Sequence, residues 1–300
     1  MPDKNNTTGH LCALITILIW GTTFISTKLL LTDFAPIEIL FFRFVLGFAA
    51  LILVYPRRLR TAGWRQELLF AAAGLCGVTL YYLLENIALT HSMASNVGVI
   101  ISIAPFFTAL LAHRFLHGEK LRRNFFLGFA AAITGIVLIS LNGSAAFHLN
   151  PIGDVLALLA ALVWAFYSIL TREISSFGYP TIPTTRRIFA YGLLFMLPTL
   201  FFFDFNWDLS RLSNPASLFN LLFLGLGASA LCFVTWNLAV RRLGAVKTSV
   251  YIYLVPVITV VTSVIVLHEE ITWMAALGTA LTLAGLFLSE SKRHTKNKEQ

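Results

Sequence analysis

Glu85 is a lone carboxylate in the apolar stretch YYLLENIAL. In lipid such a group is expensive, about 2.5–3.5 kcal/mol at a helix centre on insertion scales and less toward the interface. Two environments make opposite demands on it. Desolvation favours the neutral acid and permits proton coupling, whereas a neighbouring cation holds the carboxylate ionised. Lys28 and Arg43 belong to apolar runs that place them at similar depth. The expectation is that Glu85 faces a cavity with Arg43 nearby as its charge partner. There it serves substrate-amine binding or proton exchange, against the competing reading of a structural ion pair. Its neighbour Asn86 is the better structural candidate, and is counted with the cavity candidates.

Other polar and aromatic groups interrupt the apolar runs. Trp20 and Trp164 lie in mid-run, away from the interfacial belt where tryptophan is common. A buried indole N–H needs an acceptor, which a polar cavity would supply; bulky packing is the alternative. Thr23 and Thr27 share the helical face of Trp20, and Ser168 and Thr171 follow Trp164. Thr248, Tyr251, Val255, Thr259 and Thr262 recur at helical spacing, with a thinner version in Ser95, Asn96 and Ser102. Such stripes line a wet path or bond to neighbouring helices, and Tyr251 and Asn96 are the members with a candidate site role. Pro105 and Pro256 each remove an amide donor and free a carbonyl one turn back, at Ile101 and Ile252. They are candidate hinges, or static packing kinks.

Much recognisable chemistry is missing. The sequence contains no HExxH, phosphate loop or GxSxG pattern, and no ATP-binding motif. Energy would then come from gradients. Cys12, Cys76 and Cys232 show no paired spacing and read as small apolar residues, so neither a disulfide, a metal nor a cofactor is expected.

The elements that hold these residues are written twice. Asn86 and Asn237, Pro105 and Pro256, His117 and His268, and Glu119 and Glu270 are all separated by 151 positions. Upstream the offset is 144, pairing Trp20 with Trp164 and Arg43 with Arg187; downstream it is 150, pairing Gly128 with Gly278 and Gly135 with Gly285. Residues 11–142 and 151–290 read as two copies of one unit, followed by a basic tail at 291–300. Glu85 breaks the symmetry, because Trp236 stands at its matching position. Glu119 and Glu270, beside His117 and His268, read as helix-end anchors ahead of an acid/base pair.

Composition sets the solvent. The chain is 57% hydrophobic and 12% charged, with mean hydropathy +0.79, against about 25% charged in soluble chains. Apolar runs of about 20 residues recur near 11–31, 36–55, 67–89, 94–115 and 122–141. The second copy repeats them near 152–171, 184–203, 215–239, 247–267 and 271–289. Backbone groups in lipid must be satisfied within the segment, so these are helices. The expectation is an all-α polytopic membrane protein of ten spans. Five spans per copy is an odd number, so the second copy enters the bilayer inverted, the arrangement that supports alternating access. The first run is read as a retained span and not a signal peptide.

With the N-terminus inside, 19 of the 22 Lys and Arg fall on inner segments, leaving Lys28, Arg43 and Arg211 outside. That bias predicts cytoplasmic termini in a cell membrane. It also explains the net charge of +8 without a nucleic-acid partner.

Trp20–Gly21 in LIWGTTF, the prolines of spans 4 and 9, the closing glutamates and the repeats LGFAAAITGIVL and LGTALTLAGLFL together resemble the EamA type of drug/metabolite transporter. The resemblance implies a ten-helix alternating-access carrier with a cavity lined by spans 1, 3, 4, 6, 8 and 9. Its partners would be a small-molecule substrate and the bilayer. The direction expected is efflux of a small polar or amphipathic metabolite such as an amino acid, or of a drug. A lipid-modifying membrane enzyme and a non-transporting scaffold are the alternatives from other classes.

Overall fold

The computed structural model describes residues 4–92, 94–116, 123–140, 150–203, 205–267 and 273–290. They form ten helical spans: α1 (Lys4–Leu30), α2 (Pro36–Val54), α3 (Trp64–His91), α4 (Ala94–Ile101 and Ala104–Phe115), α5 (Arg123–Ser140), α6 (Pro151–Ser175), α7 (Thr181–Phe202), α8 (Pro215–Leu243), α9 (Ala245–Ser249, Val250–Tyr253 and Leu254–Leu267) and α10 (Trp273–Glu290). The all-α polytopic expectation holds. Residues throughout α1, α2, α3, α6 and α8 are long and apolar enough to cross a bilayer without interruption.

The main helix contacts recur between spans five positions apart in the chain. α1 lies on α8 as α6 lies on α3, α2 lies on α8 as α7 lies on α3, and α5 lies on α10. The small residues explain the closest crossing. A Cβ on Gly135 would fall 2.4 Å from the Gly278 carbonyl oxygen, and one on Gly285 would fall 2.5 Å from the Ala132 amide. Without side chains there, the α5 and α10 backbones touch.

Two irregularities also recur. α3 widens into π-helix at Leu75–Leu80, and α8 does so at Phe223–Leu231. α4 and α9 are both interrupted just before their prolines. Pro105 stands in the first turn of Ala104–Phe115, and Pro256 in the first turn of Leu254–Leu267, after a 3-10 turn. A proline lacks the amide that a first turn leaves unused, so each one starts a new segment and does not merely bend a continuous helix. Gly244, at φ 92°, is the single residue joining α8 to α9. That left-handed backbone suits glycine and permits an abrupt turn.

Polar clamps tie the loops to the bundle. Glu38 accepts from the Ala35 amide (2.8 Å), the Asn206 amide (2.9 Å) and the Arg211 guanidinium (2.9 Å), pinning the α7–α8 loop to the start of α2. On the face that carries the chain termini, Glu67 accepts from Thr61, Arg187 and Tyr191, each at 2.5 Å by its nearest contact. Arg186 donates to the Tyr55 and Arg57 carbonyls. These contacts hold α3 against α7 on that face.

Candidate functional site

Glu85 and Tyr81 are four residues apart on α3 and therefore share a face. With Tyr82 they form one wall of a cavity of about 540 Å³, including its open mouth. Trp20 and Thr23 of α1 and Trp164 of α6 form the opposite walls. Gly98, Ile101 and Ser102 of α4, with Ile252 and Val255 of α9, complete it. Counting along the helices, these residues lie from mid-bundle toward the face away from the termini.

Below the cavity the aromatic rings interlock. Trp20 meets Trp164 edge-on at 5.2 Å and Trp236 at 5.2 Å, while Trp164 packs on Tyr81 at 4.8 Å and on Tyr167 at 4.9 Å. Phe233 touches Trp20, Trp164 and Tyr167 from α8. Such edge and tilted geometries are the favourable ones for π systems. By position along their helices, Tyr167, Phe233 and Trp236 lie on the terminal side of Trp20 and Trp164.

The two matched tryptophans differ in one respect. Trp20 donates its indole N–H to the Ala228 carbonyl in the π segment of α8, at 2.9 Å. Trp164 is buried, and its Nε1 has no hydrogen-bond partner among the described residues. A buried donor left unmet is costly, and this one belongs to a cavity wall.

Glu85 is buried, and the polar groups acting on its carboxyl are Arg43 and Tyr81. Arg43 is not its direct ion-pair partner. Its guanidinium lies 4.4 Å from the centre of the Tyr82 ring, and its Nε donates to Ser229 Oγ at 2.9 Å. Cation–π stacking and a hydroxyl acceptor take up the arginine. Its charge acts on Glu85 from nearby, so the expected pair is a neighbourhood and not a contact.

Of the sequence candidates, Trp20, Thr23, Glu85 and Trp164 converge on this cavity, and so do Ile101 and Ile252, the residues preceding Pro105 and Pro256 by four. Asn86 does not. Its amide donates to the Pro36 carbonyl at 3.1 Å and ties α3 to the start of α2. Nor does Tyr251, whose hydroxyl lies 2.6 Å from His10 Nδ1, joining α9 to α1. The described hydroxyls of the threonine stripe bond within their own helix. Thr248 and Thr262 donate to the carbonyls of Gly244 and Ile258 in their own helix, and Ser168 and Thr171 do the same. The side chains of Asn96, Lys28, Ser95 and Thr259 lie outside the described residues. So do His117, Glu119, His268 and Glu270 entirely. Tyr81 and Tyr82 were not singled out from sequence, although the i, i+4 relation of Tyr81 to Glu85 was readable there.

Ten apolar spans, five of which line a largely aromatic cavity, define a polytopic membrane protein. The chain belongs to the EamA-like transporter family, whose pattern it matches over residues 7–141 and again over 151–290. It is 30% identical over 297 residues to an uncharacterized transporter of Archaeoglobus fulgidus, covering 96% of this chain and 99% of that one. A probable terminal-alkyne amino-acid exporter of Streptantibioticus cattleyicolor is 29% identical over 95% of this chain and 94% of its own. A probable amino-acid metabolite efflux pump of Escherichia coli is 25% identical over 92% and 93%. A solved crystal structure superposes with a TM-score of 0.78 over 95% of this chain and 96% of its own, at 21% identity. That likeness concerns the fold.

Proposed function

We propose that this protein is a secondary-active exporter of small amphipathic metabolites bearing an amine, amino acids foremost, and that the cavity around Glu85 is its substrate site. The observation that carries this reading is the cavity's composition: one buried carboxylate among four large aromatic residues. A cation is attracted both by a carboxylate and by aromatic faces, and the aromatic walls suit a partly apolar body. The relatives named as amino-acid exporters and efflux pumps support the same direction.

The mechanism we infer is alternating access between two inverted units, residues 11–142 and 151–290. The paired packing of α1–α8 with α6–α3, the matched π segments and the matched breaks before Pro105 and Pro256 support it. The cavity lies away from the termini, and the Glu67 cluster and the aromatic layer lie on the terminal side. Transport then requires that those contacts open while the Glu38–Arg211 side closes, with Pro105 and Pro256 as the joints. Glu85 is the group through which a proton would couple. With 19 of 22 basic residues on one side, the termini are cytoplasmic. A reporter fused after Gln300 is expected to be active only if it works in the cytoplasm.

Reconstitution tests the function. Liposomes holding the purified protein and loaded with unlabelled leucine or phenylalanine are expected to accumulate the labelled amino acid by exchange. The same protein overexpressed in cells should raise tolerance to toxic analogues of those amino acids. Exchange of no amino acid, amine or dye in a broad panel, with no change in tolerance, would remove the proposal.

A further inference from the structure

A second pocket opens where α6 ends, α7 begins and α8 ends, on the face of the bundle that carries the termini. It measures about 290 Å³ including its mouth. Thr171 and Ser175 of α6, Thr184 of α7, and Asn237 and Arg241 of α8 line it, with Tyr179 from the α6–α7 connection.

The polar inventory of the pocket is uneven. Arg241 brings a permanent positive charge, and none of the described lining residues is acidic. A guanidinium carries about five N–H donors, and among the described residues Arg241 uses one, from Nη1 to the Tyr179 carbonyl at 3.0 Å. Arg172 adds a second positive charge alongside, donating to the Val240 and Arg241 carbonyls. Thr184 supplies the independent observation. It is only 8% exposed, and its hydroxyl has no hydrogen-bond partner among the described residues. The pocket's other hydroxyls behave differently. Thr171 donates to the Tyr167 carbonyl at 3.0 Å and Ser175 to the Arg172 carbonyl at 2.6 Å. A hydroxyl buried and left unmet beside a guanidinium offers a donor pair that an oxyanion satisfies.

We infer that this pocket binds a small oxyanion, a carboxylate or phosphate group, held by Arg241 and the Thr184 hydroxyl. The site is distinct from the cavity at Glu85. The two are linked through Asn237, which lines this pocket and accepts from the Tyr167 hydroxyl at 2.9 Å, while Tyr167 packs on Trp164. The anion can arrive free in solution or as the headgroup of an acidic lipid, since basic pockets between helices bind such headgroups.

The purified full chain in phosphatidylcholine nanodiscs is titrated with sodium acetate and, separately, with inorganic phosphate, sodium chloride serving as the ionic-strength control. Melting temperature is the readout, because a ligand of the folded state raises it with concentration. A parallel series replaces part of the phosphatidylcholine with phosphatidylglycerol. Saturable stabilisation by acetate or phosphate beyond that of chloride identifies a free anion; stabilisation confined to phosphatidylglycerol discs identifies a headgroup. In either case Arg241→Gln and Thr184→Val are expected to weaken the response roughly tenfold or more, the scale of a hydrogen bond to a charged group. Thr184→Val is the cleaner variant. It keeps the side-chain shape and deletes the unmet hydroxyl, so its melting temperature without anion should be equal to the parent's or higher. The inference is overturned if neither anion nor acidic lipid stabilises beyond chloride, or if both variants respond as the parent does.

Discussion

Glu85→Gln is expected to leave folded protein in the membrane and to reduce amino-acid exchange in liposomes by at least tenfold, with no remaining dependence on pH. Gln keeps the shape and a carbonyl acceptor but has neither the charge nor the proton. Removing one partner of a buried charge pair costs about 2–5 kcal/mol, and each 1.4 kcal/mol is about tenfold in binding. Arg43 complicates the test usefully. Its guanidinium is buried against Tyr82 and Ser229, and Glu85 is the carboxylate that acts on it from nearby. Loss of that carboxylate therefore lowers stability as well, because a buried charge loses part of its compensation. Adding Arg43→Met to Glu85→Gln is expected to return the melting temperature toward the parent's without returning transport. If the double variant transports normally, or if Glu85→Gln alone keeps the parent's rate and pH profile, the carboxylate is only a strut.

Trp164→Ala and Trp164→Phe are expected to fail in different ways. The indole packs on Trp20, Tyr81, Tyr167 and Phe233. Truncation to Ala removes the shared wall between the cavity and the layer beneath it, at a cost of about 3–5 kcal/mol. The Ala variant should denature at a clearly lower temperature and show no exchange above empty liposomes. Phe keeps one aromatic ring in the packing and loses the rest of the indole, including the Nε1–H that has no partner among the described residues. The Phe variant should therefore lose much less thermal stability than the Ala variant, because a smaller cavity is partly offset by removal of an unmet donor. If that N–H donates to the substrate, its apparent affinity falls roughly tenfold. Equal affinity in the parent and the Phe variant would show that the indole is packing alone.

The main lines of the molecule were legible in the residues themselves. A bilayer leaves the backbone no option but internal hydrogen bonding, so ten apolar runs meant ten helices, and the offsets of 151, 144 and 150 repeat residues across two stretches that the family pattern also matches separately. A charge in an apolar run is too costly to be accidental, which is why Glu85 stood out before any geometry was known. Mid-span tryptophans carried the same kind of signal, and Trp20 and Trp164 do line the cavity.

What side chains do once helices pack was decided only by the tertiary structure. Asn86 and Glu85 are adjacent in sequence, yet the helical turn of about 100° per residue sends one to the Pro36 carbonyl and the other to the cavity. Arg43 had the right depth for an ion pair, but a neighbouring helix offered Ser229 and its own neighbourhood offered the Tyr82 ring. Threonines at helical spacing read as a polar stripe, but a hydroxyl on a helix can always return to the carbonyl one turn back, as Thr248 and Thr262 do. The π segments of α3 and α8 and the unmet hydroxyl of Thr184 left no mark in composition or periodicity. Each depends on which atoms another helix brings within about 3 Å, and that distance is set by packing between spans far apart in the chain.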